Sequence, residues 1–585
     1  MKSLLRLIPY FSRYRAMYLK GFVLVAISSA AQVAWPHFFG TAINDLTSGK
    51  ATASTLLVQA LYIVGFAFIS GFFYYLVRQN IIVASRHIEY DIRNDLLAHV
   101  ERLSMRFFQN TPQGELMAYS TNDVEAVRFF VGPSIMYSAD TLATFIAIFG
   151  YMLALSPTLA LLTVLPLPLM SVAVYFIGRK VHPLFDAVQA HFADLTARTT
   201  ESISGMRVVR AYVRERYEEG VFNALATGYY DKNMRLVRTQ GLMQPIIFAF
   251  MGLSTVILLL LGGRMIMHHT LSIGVLSQFV IYLGMLTWPF IALGWVTNMV
   301  QRAAASMARL IKLFETEPDI KNSDRTDMRI TSLSGAIEFR NVGFRYRPEL
   351  PAVLEDVSLR IEQGSTLAII GRTGSGKTTL VDLLARLYDP TTGSITVDGH
   401  ELRTIPLEVL RGSIGFVTQE PFLFSETIEE NIGFGIAGDA HPVHARAQDA
   451  AKAADIYDNI MEFPEQFQTM LGERGITLSG GQKQRTAIAR AIARNPRILI
   501  LDDAMSAVDT ATEERILSNL RAEPIPRTTV LISHRTSTAK EADLIVVIEH
   551  GRIVERGTHA ELLEFGGHYY DLYRRQLLEE SLETA

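Results

Sequence analysis

Residues 371–378 combine glycines, a lysine and a threonine at a spacing that suits phosphate binding. They match G-x-x-x-x-G-K-[ST], and the apolar run at 366–370 precedes them as a strand would. Glycines let backbone N–H groups converge on phosphate oxygens, and the following helix adds positive potential at its first turn. Lys377 would reach the outer phosphates and Thr378 would coordinate Mg²⁺. The pattern predicts a P-loop rather than a glycine-rich turn. The nucleotide-binding residues assigned here are Gly371, Arg372, Thr373, Gly374, Ser375, Gly376, Lys377, Thr378 and Thr379.

Two acidic residues, Asp502 and Asp503, end a second apolar run at 497–501. A carboxylate at the tip of a central strand beside a P-loop is the Walker B arrangement, which holds Mg²⁺. Asp502 is therefore a predicted metal ligand. Without the P-loop, the same pair would be read as two solvated aspartates at a strand end.

These motifs need an α/β domain to position them. Strands are predicted at 336–346, 357–361, 366–370, 497–501 and 529–533, with a helix from the P-loop to Tyr388. The polar, turn-rich stretch at 316–335 marks a linker, so the nucleotide-binding domain is placed at 336–585.

Composition narrows the class of protein further. The chain has 585 residues and a net charge of 55 − 58 = −3, so no nucleic-acid-binding footprint is visible and no nucleic-acid partner is expected. It contains no cysteine, which excludes disulfides, thiolate metal sites and cysteine nucleophiles. The first half is much more apolar than the second, which predicts a membrane half followed by a soluble half.

Uncharged runs long enough to cross a bilayer recur in the first half, since a span needs about 20 apolar residues. Six membrane helices are expected within a domain at 21–315. The runs are 21–44, 51–77, 141–178 with a hairpin at Ser156-Pro157, 239–263, and 265–301. The third helix is expected to begin near Val131 and to include Asp140. Residues 1–20 interleave basic and apolar residues and predict an interfacial elbow helix rather than a cleaved signal peptide.

Lysine and arginine counts alternate along the connections. The N-terminal segment has five, residues 78–128 six and residues 179–238 ten, whereas the intervening loops have none or one. The alternation predicts that both termini are cytosolic. The two long basic connections are expected to be helical hairpins, broken at 109–114 and 204–205, that touch the soluble half.

Residues 478–482, Leu-Ser-Gly-Gly-Gln, lie between the P-loop and Asp502. With this segment the whole chain resembles an ABC transporter, namely an exporter half-transporter with six membrane helices fused to one ATPase domain. The resemblance implies ATP and Mg²⁺ as cofactors, and export rather than import. It implies further roles for an adenine-stacking Tyr346, a Q-loop Gln419 near Mg²⁺, an X-loop at 472–475, a D-loop Asp509 and a switch His534 that contacts the γ-phosphate.

In this family two ATPase domains pair head to tail, so Ser479, Gly480, Gly481 and Gln482 would serve the ATP held by the other subunit. A dimer is therefore implied. The family pattern places Glu after the Walker B aspartate, where this chain has the shorter Asp503. An intact signature with a shortened acid resembles the degenerate-site subunit of heterodimeric bacterial multidrug exporters. The alternatives are a homodimer with two slow sites, or a backbone shift that lets Asp503 act as Glu does.

The resemblance implies ATP-driven export of hydrophobic or amphiphilic compounds across a bacterial inner membrane. A lipid flippase shares all the motifs, and a regulatory subunit with little turnover is the other alternative. Asp140, an acid within a membrane span, is a candidate for attracting cationic substrate, or it pairs with a neighbouring helix. Membrane aromatic residues either line an amphiphile site or face lipid and neighbouring helices; they are Trp35, Phe38, Phe39, Phe72, Phe73, Tyr74, Tyr75, Trp288 and Trp295.

Overall fold

The computed structural model describes residues 2–436, 443–472, 475, 478–522 and 526–583, with side chains as far as residue 578. The chain forms two compact units. The first consists of Met1–Glu101 and Gln113–Thr316, and the second of Arg102–Pro112 and Glu317–Ala585.

The first unit is entirely helical. Within the described residues, six helices are long and apolar enough to cross a membrane, which confirms the expected number. Including the shorter helices between them, the order is α1 (Ile8–Arg13), α2 (Arg15–Thr47), α3 (Ala53–Val100), α4 (Met105–Asn110), α5 (Gln113–Leu155), α6 (Pro157–Ser204), α7 (Met206–Ala211), α8 (Glu215–Met267) and α9 (Ile273–Phe314). Of these, α4 belongs to the second unit.

The spans extend well beyond a bilayer. Helix α3 has 48 residues, about 72 Å at 1.5 Å per residue, against a hydrocarbon core of about 30 Å. Its apolar part leaves Leu57, Leu61, Val64 and Phe68 exposed on one face. Such a face is stable beside lipid, because the helix satisfies its own backbone hydrogen bonds.

The elbow is tied to the inner part of α3. The Tyr10 hydroxyl donates to the Asp95 carboxylate over 2.7 Å, and the Arg13 guanidinium donates to Asp91 over 2.5 Å. The basic N-terminal segment therefore pairs with acids that lie beyond the apolar part of α3.

The second unit is α/β and contains two sheets. One has the order β2-β1-β4-β5 and is antiparallel. The other has the order β10-β9-β3-β8-β7-β6, parallel except for the β9–β10 pair. The strands are β1 (Ile337–Phe344), β2 (Leu354–Ile361), β3 (Thr366–Ile370), β4 (Thr392–Val397), β5 (His400–Glu401), β6 (Ile414–Val417), β7 (Ile498–Asp502), β8 (Thr528–Ile532), β9 (Leu544–Glu549) and β10 (Arg552–Gly557).

Helices connect and follow the strands of the second unit. They are α10 (Lys377–Leu384), α11 (Leu407–Gly412), α12 (Ile428–Gly433), α13 (Val443–Ala453), α14 (Tyr457–Met461), α15 (Gly480–Ala493), α16 (Thr510–Ala522), α17 (Thr536–Ala539), α18 (His559–Phe565) and α19 (His568–Glu583). Two sequence-based boundaries were wrong by three residues or more, and the other predicted strand ends differ by two residues or fewer. Strand β2 begins at Leu354, three residues before the expected start at 357. Helix α10 ends at Leu384 rather than Tyr388, because Arg386 has a left-handed backbone (φ 49°).

The two helical hairpins differ. The tip of the first, with α4, belongs to the second unit, where Ser104 Oγ accepts from the Ile320 N–H over 3.1 Å. Helix α7 of the second hairpin belongs to the first unit and leads into Tyr212 and Val213, which are 75% and 81% exposed. The breaks at 109–114 and 204–205 occur where the sequence predicted them.

Helices α2 and α9 lie close together where Gly40 faces Gly274. A Cβ atom added to Gly274 would overlap the Gly40 carbonyl oxygen and lie 2.6 Å from the Asn44 side chain. The Gly274 N–H, in the first turn of α9, donates to Asn44 Oδ1 over 2.8 Å. Small residues here let the two backbones approach, and the side-chain amide satisfies a helix-end donor.

We expect Gly274→Ala to destabilise the membrane unit by about 1–3 kcal/mol, since the added methyl group meets backbone that has little room to move. Gly284→Ala on the same helix is the matched control, because a Cβ atom there meets nothing within 4 Å. Thermal unfolding of the detergent-solubilised protein measures both. Equal melting temperatures for the two variants would contradict the prediction.

Candidate nucleotide site

The predicted P-loop joins β3 to α10. Gly376 caps α10 with a left-handed backbone (φ 104°), and a Cβ atom on it would lie 2.8 Å from Leu354 Cδ2 and 2.9 Å from the Val353 carbonyl oxygen. Only glycine fits this position without strain. The helix N-terminus is thereby aimed at the loop, as the sequence required.

Lys377 is 6% exposed and folds back over the loop. Its ammonium group donates to the carbonyl oxygens of Gly371 (2.8 Å) and Arg372 (2.9 Å). Burial lowers the pKa of Lys377, while the nearby Asp502 and Asp503 act in the opposite direction. The ammonium group is thus held where phosphate oxygens can replace two neutral carbonyls as its partners.

Asp502 ends β7 and is 2% exposed. Burial raises the pKa of this carboxyl, and its hydrogen bond from Thr378 opposes the rise. A buried carboxylate beside a hydroxyl oxygen is the oxygen donor set that Mg²⁺ takes in nucleotide sites. The residues present therefore fit the ion that the motif implies.

One cavity brings together most of the predicted residues. Its lining includes the P-loop, both acids after β7, the Q-loop glutamine and the switch histidine: Thr373, Gly374, Gly376, Lys377, Thr378, Thr379, Gln419, Asp502, Asp503 and His534. Gln419 Nε2 donates to Asp503 Oδ2 over 3.4 Å. Residues as far apart along the chain as Thr373 and His534 thus face one cavity.

The backbone at Asp503 is left-handed (φ 48°), and its N–H donates to the Ile532 carbonyl oxygen over 3.0 Å. Aspartate is among the few residue types that adopt this conformation readily. The local backbone therefore suits the residue that departs from the family pattern.

Tyr346 lies against the P-loop helix. Its hydroxyl is 3.0 Å from Thr379 Oγ1, and its ring packs edge-on against Phe344 and Tyr388. Burial raises the pKa of Tyr346. The ring thus lies beside the helix that follows the P-loop, and its adenine-stacking role stays a prediction.

The segment 479–482 is built differently. Ser479 caps α15, accepting from the Gln482 N–H (3.3 Å), while Gln482 Oε1 accepts from the Ser479 N–H (3.0 Å). A Cβ atom on Gly481 would lie 2.8 Å from the Ala507 carbonyl oxygen. None of these residues lines the cavity formed around Lys377. Within the described residues, the two halves of the predicted site are separate.

The sequence interpretation missed Gln484, which is 4% exposed. Its Nε2 donates to Ser506 Oγ and its Oε1 accepts from the Ala507 N–H, both over 2.9 Å. This side chain connects α15 to the loop that follows Asp503. The signal available in the sequence was a second glutamine, two positions after Gln482. Asp509, the predicted D-loop acid, caps α16 by accepting from the Thr512 N–H over 2.9 Å.

Two further charged residues also escaped the sequence interpretation. Asp382, on α10, has its pKa raised to about 7 by burial and by the charge of Asp502. Arg490, on α15, bonds the Asn431 and Phe422 carbonyl oxygens, each over 2.7 Å, and burial lowers its pKa to about 10. In the predicted X-loop at 472–475, Glu473 and Arg474 lie outside the described residues.

Comparison with known proteins gives the same picture. The family model for the ABC transporter transmembrane region matches residues 18–290, and that for the ABC transporter ATPase region, described as "ABC transporter", matches residues 354–506. The chain is 37% identical to a probable multidrug resistance ABC transporter ATP-binding/permease protein, YheI, of Bacillus subtilis (strain 168), covering 97% of each chain. The chain belongs to the ABC transporter family.

Two other relatives agree with this assignment. The multidrug resistance-like ATP-binding protein MdlA of Escherichia coli (strain K12) is 33% identical, over 98% of this chain and 97% of that protein. The solved structure of a bacterial Atm1-family ABC exporter with ATP bound has a TM-score of 0.82 at 28% identity, over 96% of this chain and 99% of that one. This ABC transporter is therefore a multi-pass membrane protein that binds nucleotide, couples ATP hydrolysis to export and acts as a dimer.

We expect Gln484→Ala to lower the ATPase rate of this transporter about 10-fold, because the loop after Asp503 loses both of its bonds to α15 and a misplacement near 1 Å is costly. Lys483→Ala, one position earlier on the same helix, is the control. ATP turnover by the purified transporter, with nucleotide affinity measured alongside, tests this. A Gln484→Ala enzyme as fast as the Lys483→Ala enzyme would refute the assignment.

Proposed function

We propose that this chain is one half of a heterodimeric ABC exporter of the bacterial inner membrane, and that it carries hydrophobic or amphiphilic compounds, cationic ones among them, out of the cell. The observation that carries the proposal is the separation of the two halves of the nucleotide site. The cavity around Lys377 has a P-loop, Walker B acids and a switch histidine, but residues 479–482 contribute nothing to it. A facing subunit must supply that surface.

In this scheme each residue has a role. The P-loop residues 371–379 bind the phosphates, and Tyr346 stacks on adenine. Thr378, Gln419 and Asp502 hold Mg²⁺, which would neutralise charge on the phosphates during transfer. Asp503, Gln419 and His534 orient the attacking water and contact the γ-phosphate. Ser479, Gly480, Gly481 and Gln482 close over the partner's ATP, and Asp509 shapes the loop between them.

The two sites of the dimer are unequal in this proposal. Asp503 is one methylene shorter than glutamate, so its carboxylate lies about 1.5 Å back, and an error near 1 Å can slow a reaction about 100-fold. Its 3.4 Å separation from Gln419 is long for a hydrogen bond. The site on this chain's P-loop is therefore the slow one. The site completed by this chain's Ser479 is the fast one.

A cluster on the membrane helices supports a cationic substrate. Asp140 on α5 is half-buried and lies within electrostatic range of Tyr74 on α3. Tyr137, one turn from Asp140, packs its ring 5.1 Å from that of Trp295 on α9. An acid near aromatic side chains suits an organic cation, which would gain charge pairing from Asp140 and cation–π contact from the rings.

The remaining features fit the same scheme. Both termini are assigned to the cytosol from the alternation of basic residues along the connections. The exposed Tyr212 and Val213 at the tip of the second hairpin are assigned to the interface with the other subunit's ATPase domain. In this scheme membrane lipid surrounds the six spans of the first unit.

The asymmetry of the two sites predicts that Ser479→Arg reduces total ATPase far more than Asp503→Ala does. If this chain's own site runs about 100-fold slower, it supplies about 1% of the turnover, so Asp503→Ala leaves the total nearly unchanged. Ser479→Arg places bulk and charge against the partner's ATP. The measurement is steady-state ATPase of the complex co-purified with the product of the neighbouring gene.

Ser479→Ala is the control for that experiment, because it removes the cap on α15, worth about 1 kcal/mol, without blocking the interface. Equal losses for Ser479→Arg and Asp503→Ala would contradict the asymmetric assignment. A native mass of the complex equal to twice that of this chain would identify the homodimer with two slow sites.

The substrate assignment predicts that Asp140→Asn reduces transport of cationic dyes by about 10-fold, because the charge that pairs with the cation within the membrane span is lost, and leaves transport of neutral dyes intact. Proteoliposomes loaded in parallel with dyes and with labelled lipid measure this. Unchanged cationic transport would remove Asp140 from the substrate site. Movement of labelled lipid alone would favour a flippase, and ATP binding without movement of either would favour a regulatory subunit.

A further inference from the structure

The chain leaves β8 through a short segment, residues 533–536, that carries His534 to the nucleotide cavity. The side chain of His534 lines this cavity together with Lys377 and Asp503. The hydrolytic role proposed for His534 requires that this ring be held in place, so what fixes the backbone on either side of it matters for turnover.

One side chain of the C-terminal helix α19, that of Gln576, forms hydrogen bonds with this segment. Gln576 Nε2 donates to the His534 carbonyl oxygen over 2.5 Å, and Gln576 Oε1 accepts from both the N–H and the hydroxyl of Thr536, each over 2.7 Å. Only one orientation of the amide satisfies all three bonds, because its oxygen must face two donors and its nitrogen one acceptor. One amide therefore spans the residues on both sides of Arg535.

Helix α19 is itself held in place by its contacts with the core, and this fixes the position of Gln576. The Tyr569 ring is fully buried among residues packed on the parallel sheet, including Ala539 of α17. The Tyr569 N–H donates to the buried Glu555 carboxylate over 2.9 Å. Tyr569, Leu572 and Gln576 are spaced i, i+3 and i+7, which places them on one face of the helix. Helix α19 and the helix that follows residues 533–536 thus pack on the same hydrophobic core.

The other side of the segment is held by Arg535. Its guanidinium donates to the Val508 carbonyl oxygen over 2.9 Å and to Glu513 Oε2 over 3.0 Å. These partners belong to the loop and helix that follow Asp503. The segment that contains His534 is therefore held from two sides, by the loop and helix that follow Asp503 and by Gln576 of α19.

We propose that Gln576 is a positioning residue for ATP hydrolysis at this chain's own site, acting through the backbone of His534. The inference rests on the role proposed above for His534. Gln576 lines neither the phosphate-binding loop nor the cavity around Lys377, so its effect falls on turnover and not on ATP affinity.

The test uses the purified full-length transporter in lipid nanodiscs with Mg²⁺ and azido-ATP. Photo-cross-linking to this chain isolates its own site, and the rate at which the bound azido-ATP becomes azido-ADP is followed in a single turnover. We expect Gln576→Ala to slow this conversion about 10-fold and to change the azido-ATP dissociation constant less than about 2-fold. Gln576→Glu keeps the acceptor for Thr536 but loses the donor to His534, so a smaller loss is expected. Arg574→Ala, exposed on the same helix, should match wild type.

A double-mutant cycle with His534→Ala separates positioning from general damage. If Gln576 acts through His534, adding Gln576→Ala to His534→Ala slows conversion no further. An equal further loss in that background, a loss of ATP affinity, or a Gln576→Ala rate within 2-fold of wild type would each overturn the inference. Wild-type conversion by His534→Ala would overturn the proposed role of His534 as well, whereas a slow His534→Ala beside an unaffected Gln576→Ala would overturn the inference alone.

Discussion

The parallel pairing of β3, β8 and β7 is the constraint on which the nucleotide site depends. In this register Ile369 of β3 and Asp502 of β7 both pair with Ile532 of β8. The three strands therefore end at one edge, and the residues that follow them, from Gly371, Asp503 and Ser533 onward, leave the sheet side by side. Ladder hydrogen bonds and a fully buried core set this edge to within a residue, because a slip by one position would turn every side chain to the opposite face.

The features that could be predicted from the sequence are those written in short, contiguous segments. The types and spacing of Gly376 and Lys377 predict the conformation of the P-loop. The apolar run of β7 predicts that Asp502 lies at the end of a buried strand. The membrane spans are predictable for the same reason, since length and hydropathy are properties of one segment. The features that escaped are contacts between segments. Gln576 lies 42 positions from His534, and nothing in its own neighbourhood of the chain marks it as different from a surface glutamine.

Asp382 illustrates a different limit. The sequence places this acid among Val381, Leu383 and Leu384, but its environment depends on neighbours from β7, so it escaped the sequence interpretation. Burial and the charge of Asp502 raise its pKa to about 7. That shift follows from packing against β7, a contact that the local sequence does not encode.

The tip of the first hairpin packs within the ATPase unit, close to the aromatic side chains beside the nucleotide site. Helix α4 packs within the ATPase unit, where Asn110 accepts from Arg347 and Arg106 pairs with Asp319 over 3.6 Å. Gln109 bonds the hydroxyl of Tyr388, whose ring packs edge-on against Tyr346 at 5.3 Å. Tyr346 therefore stands one aromatic contact away from α4. Packed rings and bonded side chains do not deform gradually, so Tyr346, Tyr388 and α4 form one connected patch within the ATPase unit.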